Sequence, residues 1–124
     1  MKFPAICENH LFSKAYSKGK RYVTDLLAVY LLPDYAAKRL AKAHPEGLIV
    51  NRIGLTVSKK LGSAVERNRT KRILREGYRT AVRQVPIKTG FLIVIAARER
   101  AVTAKATDIA RDLMRAFKKL ELPL

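Results

Sequence analysis

The hydrophobic positions along the chain change period several times, and each change marks an element. From Asn9 to about Lys18 the spacing is helical: Leu11 and Ala15 share one face, with Phe12 and Tyr16 as a neighbouring i,i+4 pair. Asn9 is placed to cap that helix and Gly19 to end it at the C′ position. The following YVTDLLAVYLL is rich in β-formers and closes at Pro33, which predicts a short strand at Tyr22–Thr24 and a longer one at Leu26–Leu32. In the longer strand Leu27, Val29 and Leu31 would face one side, with Ala28, Tyr30 and Leu32 on the other. Pro33 to Gly47 reads as a loop with a turn or two of helix.

Alternation returns at Leu48–Val57, a strand in which Ile53, Leu55 and Val57 interleave with Arg52, Gly54 and Thr56. After Lys59-Lys60-Leu61-Gly62, Ser63 and Glu66 form a capping box that starts a long helix. At roughly 100° per residue, Ile73, Leu74, Gly77, Tyr78 and Ala81 gather on one side of it. Asn68, Lys71, Arg72, Arg75 and Arg79 fall on the opposite side, with Arg67 and Arg69 at the two edges. Phe91–Ala97 is a continuous apolar run, as in a central strand covered on both faces. Thr103 can cap a last helix whose apolar stripe is Ala106, Ile109, Ala110, Leu113, Phe117 and Leu120. The order αβββαβα predicts a single α+β domain over residues 1–124, with helices packed on a small sheet.

Charge points beyond the fold to a partner. Lys and Arg number 26 against 10 acidic residues, a formal net charge of +16 on a chain that is 48% hydrophobic. That is apolar enough to fold, yet the positive charge repels itself unless a polyanion shares the surface. Nucleic acid is the partner such a balance implies. A lipid surface is the competing polyanion, but the inner side of the long helix carries Thr70, Gly77 and Tyr78 rather than a bulky lipid-facing stripe. Alternating charges would make the outer face of that helix an ordinary solvated surface; here it is nearly all positive, so neighbouring cations oppose one another in the free protein.

Other chemistries find no support. Cys7 is the sole cysteine, so no internal disulfide forms and a zinc site would lack its usual thiolates. His10 and His44 stand alone, and neither a nucleophile–base pair nor a Gly-rich phosphate loop is present. No catalytic or metal-ligating residue is assigned. The first residues lack a secretory core and no run matches a membrane span, which predicts a cytoplasmic protein. Phe12, Tyr16 and Tyr30 admit two readings: buried stripe, or a platform on which unpaired bases stack.

The segment VSKKLGSAVERNRTKRILRE resembles the arginine-asparagine-arginine motif of the bacterial ribonuclease P protein family. NHLFSKAYSKGKR is similar to that family's first helix and FLIVIAARE to its fourth strand, so the resemblance covers nearly the whole chain. It implies a two-layer fold with a four-stranded sheet and a left-handed βαβ crossover around the motif helix, against the usual right-handed rule. It also implies a protein subunit of a ribonucleoprotein in which the RNA removes the 5′ leader of precursor tRNA, using Mg²⁺ held mainly by RNA. By the same resemblance, Arg67, Asn68, Arg69, Lys71, Arg72 and Arg75 bind the catalytic RNA. Phe12, Tyr16, Tyr30, Lys59 and Lys60 bind the precursor's leader, and the protein is a monomer within the complex. Three departures stand out: only Lys2 precedes Lys14 as a cation, Tyr16 replaces a phenylalanine, and the Pro33–Gly47 connection is long. The alternative is a general RNA-binding or ribosome-associated protein, which explains the charge but not the order of residues in the motif.

Overall fold

A computed structural model describes every residue except 1–3, 7–8 and 44, so Lys2, Cys7 and His44 lie outside it. The elements run α1 (Asn9–Lys18), β1 (Lys20–Val23), β2 (Leu27–Pro33), α2 (Ala37–Ala43), β3 (Arg52–Thr56), α3 (Ala64–Gln84), β4 (Phe91–Ala97) and α4 (Ala106–Lys119). The architecture is α+β, and the four strands form one sheet in the order β1-β2-β4-β3. β1, β2 and β4 pair antiparallel, while β3 joins β4 in parallel, so α3 is the crossover between neighbouring strands.

Central placement of β4 explains its unbroken apolar run. Ile93 and Ile95 enter the main core with Leu27, Val29, Leu31, Leu74, Tyr78, Leu113 and Phe117. Leu92 and Val94 turn to the opposite face and meet Ala15, Leu32, Leu11 and Phe12. The alternation predicted for β2 holds on both faces. The principal layers are therefore the sheet and the α3–α4 pair, with α1 lying over part of the other face. α3 and α4 approach closely because position 77 is glycine: a Cβ there would come within 2.5 Å of Ile109 Cγ2.

The structure corrects several local expectations. Asn9 is the first residue of α1, not its cap. Gly19 does not adopt the left-handed C′ conformation; it is small because a Cβ would meet the Ala15 and Leu31 carbonyl oxygens at 2.5 and 2.9 Å. The Pro33–Gly47 segment forms a true helix, α2, burying Ala37 and Ala41. Its AAKRLAKA sequence consists of strong helix formers, and Asp34 Oδ1 accepts the Ala36 N–H at 3.0 Å just ahead of it.

β3 is shorter than Leu48–Val57 because Asn51 ends the ladder. Its side-chain amide donates to the Lys88 carbonyl, and its oxygen accepts the Phe91 N–H, both at 2.9 Å. Leu48 and Ile49 remain exposed before it. Thr103 caps nothing: it closes a 3-10 turn, Glu99–Thr103, and Lys105 is the α4 cap, its N–H donating to Asp108 Oδ2 at 3.2 Å.

On the α1 face, Arg52 and Asp34 form a buried ion pair with Nε–Oδ2 at 2.7 Å and Nη2–Oδ1 at 3.0 Å. Burial pushes the Asp34 carboxyl up, but hydrogen bonds from Arg52 and the Ala36 N–H outweigh it and hold the pKa below the ordinary value. The pair ties the end of β2 to the start of β3.

Candidate nucleic-acid interface

Phe12, Tyr16 and Tyr30 converge on one side of the sheet. Helix α1 is pinned there by Ala15, which is fully buried against the face carrying Leu32, Leu92 and Val94. One turn of helix separates Phe12 from Tyr16, so both project toward β3. The ring of Phe12 rests on the backbone of Gly54, where a Cβ would come within 2.5 Å of its Cε1. Tyr16 donates its hydroxyl to Thr56 Oγ1 at 3.2 Å and meets Tyr30 edge-to-face, centroids 4.9 Å apart and planes at 87°. Phe12 and Tyr30 are half-buried, whereas Tyr16 stays 42% exposed. The cluster is not a fully buried stripe: Phe12 and Tyr30 pack against the small core, and Tyr16 stays open.

Just beyond Thr56 the chain turns through a 3-10 turn, Lys59–Leu61, in which Ser58 Oγ accepts the Lys60 N–H at 3.3 Å. Both lysines are exposed there. Gly62 follows with φ of 142°, and a Cβ on it would meet Glu66 Oε1 at 2.9 Å. The predicted capping box is present: Glu66 N–H donates to Ser63 Oγ at 3.2 Å, and Ser63 N–H donates to Glu66 Oε1 at 3.1 Å. Those Ser63 hydrogen bonds hold the Glu66 carboxyl below the ordinary glutamate value.

The motif cations on α3 are not equivalent. Arg69 Nη1 donates to the Val102 carbonyl at 2.6 Å, tying the helix to the turn before α4. Arg67 is half-buried, with Nε donating to the Ser63 carbonyl at 3.4 Å. Asn68, Lys71, Arg72 and Arg75 are exposed. Arg79, expected on the open face, is half-buried and paired with Glu76 at 3.0 Å. The inner side is buried as predicted at Leu74, Gly77, Tyr78 and Ala81, with Thr70 fully enclosed and bonded to the Glu66 carbonyl.

Lys71, Arg75 and Arg79 line a groove of about 500 Å³ together with Phe12, Ile53 and Gly54. Two surfaces that the sequence presents as separate, the aromatic cluster and the motif helix, therefore meet across the edge of β3. Tyr78 closes the groove from the core side, and burial pushes its phenol far above the ordinary range, so it stays neutral. Pro4 and Ile6 bond to the outer edge of Ile53, its N–H at 2.9 Å and its carbonyl at 3.1 Å. Among the described residues, no three His, Cys, Asp or Glu side chains gather to hold a metal ion, and no helix is long and apolar enough to cross a membrane.

The sequence does not single out Gly54 and Thr56 as part of this surface. A glycine inside a strand pattern is a signal of close approach by another group, and it marks position 54 here. Nothing local marks Thr56, or the carbonyl of Val102 that Arg69 uses.

Partly exposed aromatic rings beside a groove bordered by a polycationic helix are able to stack bases and neutralise phosphates. A family model described as Ribonuclease P matches residues 2–121. The ribonuclease P protein component of Alkaliphilus oremlandii is 35% identical over 115 residues, spanning 93% of this chain and 89% of that protein. Its counterpart in Dehalococcoides mccartyi (strain CBDB1) is 42% identical over 111 residues, spanning 90% and 79%. Among solved structures, the RNase P protein of Staphylococcus aureus matches with a TM-score of 0.74 at 26% identity, covering 99% of this chain and 100% of that one. The RNase P protein of Thermotoga maritima shares the fold, with a TM-score of 0.67 at 22% identity over 90% of this chain and 92% of that one. The chain belongs to the ribonuclease P protein family, and its role is that of the protein component of this tRNA-processing endoribonuclease.

Proposed function

We propose that the chain, acting as one domain and as a monomer in a cytoplasmic ribonucleoprotein, holds the 5′ leader of precursor tRNA in the cleft of Phe12, Tyr16 and Tyr30. Lys59 and Lys60 sit where they can neutralise leader phosphates. Arg67, Asn68, Arg69, Lys71, Arg72 and Arg75 meet the catalytic RNA. The observation that carries this reading is the convergence of the three aromatics beside Gly54, with Tyr16 left open to solvent.

In this reading the catalytic RNA would hold the Mg²⁺ and supply the hydrolysis; among the described residues no three His, Cys, Asp or Glu side chains gather to hold an ion. This chain binds and orients. Aromatic faces stack unpaired bases whatever their identity, which suits leaders of varied sequence. Exposed cations on α3 neutralise phosphates, and Lys71 and Arg75 lie where the two RNAs would approach each other. Arg69 contributes through position as well as charge, because its bond to Val102 fixes the N-terminal half of the motif helix.

Reconstitution with the catalytic RNA at low Mg²⁺ tests the reading. The protein is expected to restore cleavage of precursor tRNA there, more strongly for substrates with a leader long enough to fill the cleft. A general RNA binder would give no leader-dependent rescue.

A further inference from the structure

On the flank of α1 turned away from Phe12 and Tyr16 lies a second concave surface. Lys14 and Lys18, one turn apart, form a wall of a cavity of about 610 Å³, and Lys20 and Lys88 stand around it. Tyr35 projects at the rim, 79% exposed, with Lys14 Nζ 5.1 Å from its ring centroid. Past that pair the surface continues into a smaller hollow of about 310 Å³ lined by His10 and Arg39. The carboxylates lining these hollows are Glu121 and Asp34, and Asp34 is already neutralised by Arg52 at 2.7 Å.

Solvated lysines alone would not mark a site. These come from α1, from β1 and from the connection before β4, yet they converge on one concavity. Converging ammonium groups repel one another, a cost that an anion between them removes. Tyr35 is the second feature: Lys14 covers one face of its ring, and the high exposure leaves the other face open beside the cations.

We propose that this groove binds a segment of single-stranded RNA, its phosphates on Lys14, Lys18, Lys20 and Lys88 and a base stacked on Tyr35. A duplex keeps its base faces inside the stack, so an open ring beside a cationic groove fits an unpaired strand. The connection between β2 and β3, which had no role in the cleft, then supplies the stacking residue. The inference rests on the reading that the chain works on RNA, but not on which surface holds the leader. The strand has two possible sources, an unpaired region of the catalytic RNA or the distal part of a long leader.

The test uses the full chain carrying Tyr35→Ala, Tyr35→Phe, or Lys18→Gln with Lys88→Gln, all at exposed positions. One arm measures affinity for the catalytic RNA; the other measures holoenzyme affinity for precursors with short and with long leaders. Tyr35→Ala is expected to weaken one arm roughly tenfold, while Tyr35→Phe retains binding. The lysine pair is expected to reduce the slope of log K against log salt by about 1.4 for a single strand. Loss in the first arm assigns the strand to the catalytic RNA, and loss confined to long leaders assigns it to the precursor. Unchanged affinities and slopes in both arms would overturn the proposal. Phe12→Ala run in parallel reads the leader cleft separately, so failure of one reading is distinguishable from failure of the other.

Discussion

Phe12 lies on Gly54 so closely that the ring and a β-carbon at that position could not coexist, the separation being 2.5 Å. Gly54→Ala is therefore expected to fold, because the obstructing atoms are the outer edge of a half-buried ring that can swing outward. The ring would leave the cleft floor. Melting should show a loss of about 1–2 kcal/mol, within the range for overpacking, and precursor affinity should fall in a leader-dependent way. Binding of mature tRNA should not change.

The Asp34–Arg52 pair gives the fold an acid limb. Asp34 titrates below its ordinary value of 3.8 in the folded chain. Its contribution to stability is complete above that value and is lost as pH falls through the lowered folded-state pKa. Thermal melts from neutral to strongly acid pH should show this limb, and Asp34→Asn should remove its share of it. Asp34→Ala leaves the buried Arg52 without this carboxylate and is expected to cost about 3–5 kcal/mol.

Gly77 sets the distance between α3 and α4. A Cβ there would stand 2.5 Å from Ile109 Cγ2 and 3.1 Å from the Ala110 nitrogen. Gly77→Ala should destabilise by roughly 1–3 kcal/mol. Combined with Ile109→Ala, the loss measured by denaturant unfolding should be smaller than the sum of the single losses, because the truncated side chain makes room. Strict additivity would mean that the helices separate by another route.

Much of the fold was legible because burial repeats. The capping box at Ser63 and Glu66, the stripes of α3 and α4 and the run in β4 each signal themselves within one element. The aromatic pair on α1 was equally visible. Juxtapositions between distant residues were not: Arg69 on the Val102 carbonyl, Tyr16 on Thr56, and Lys71 and Arg75 in one groove with Phe12 depend on how elements dock. The sequence understates helix α2 because Pro33, Pro45 and Gly47 frame it with loop signals, although the residues between favour helix.

Comparison of precursor and mature tRNA binding by holoenzymes carrying Phe12→Ala, Tyr16→Ala or Tyr30→Ala tests the leader assignment most directly. Each lost stacking contact is expected to cost about 1–3 kcal/mol, or about 5- to 150-fold in precursor affinity. Affinity for mature tRNA, which has no leader, should remain at the wild-type value. Equal losses for both RNAs would contradict the assignment of the leader to this cleft.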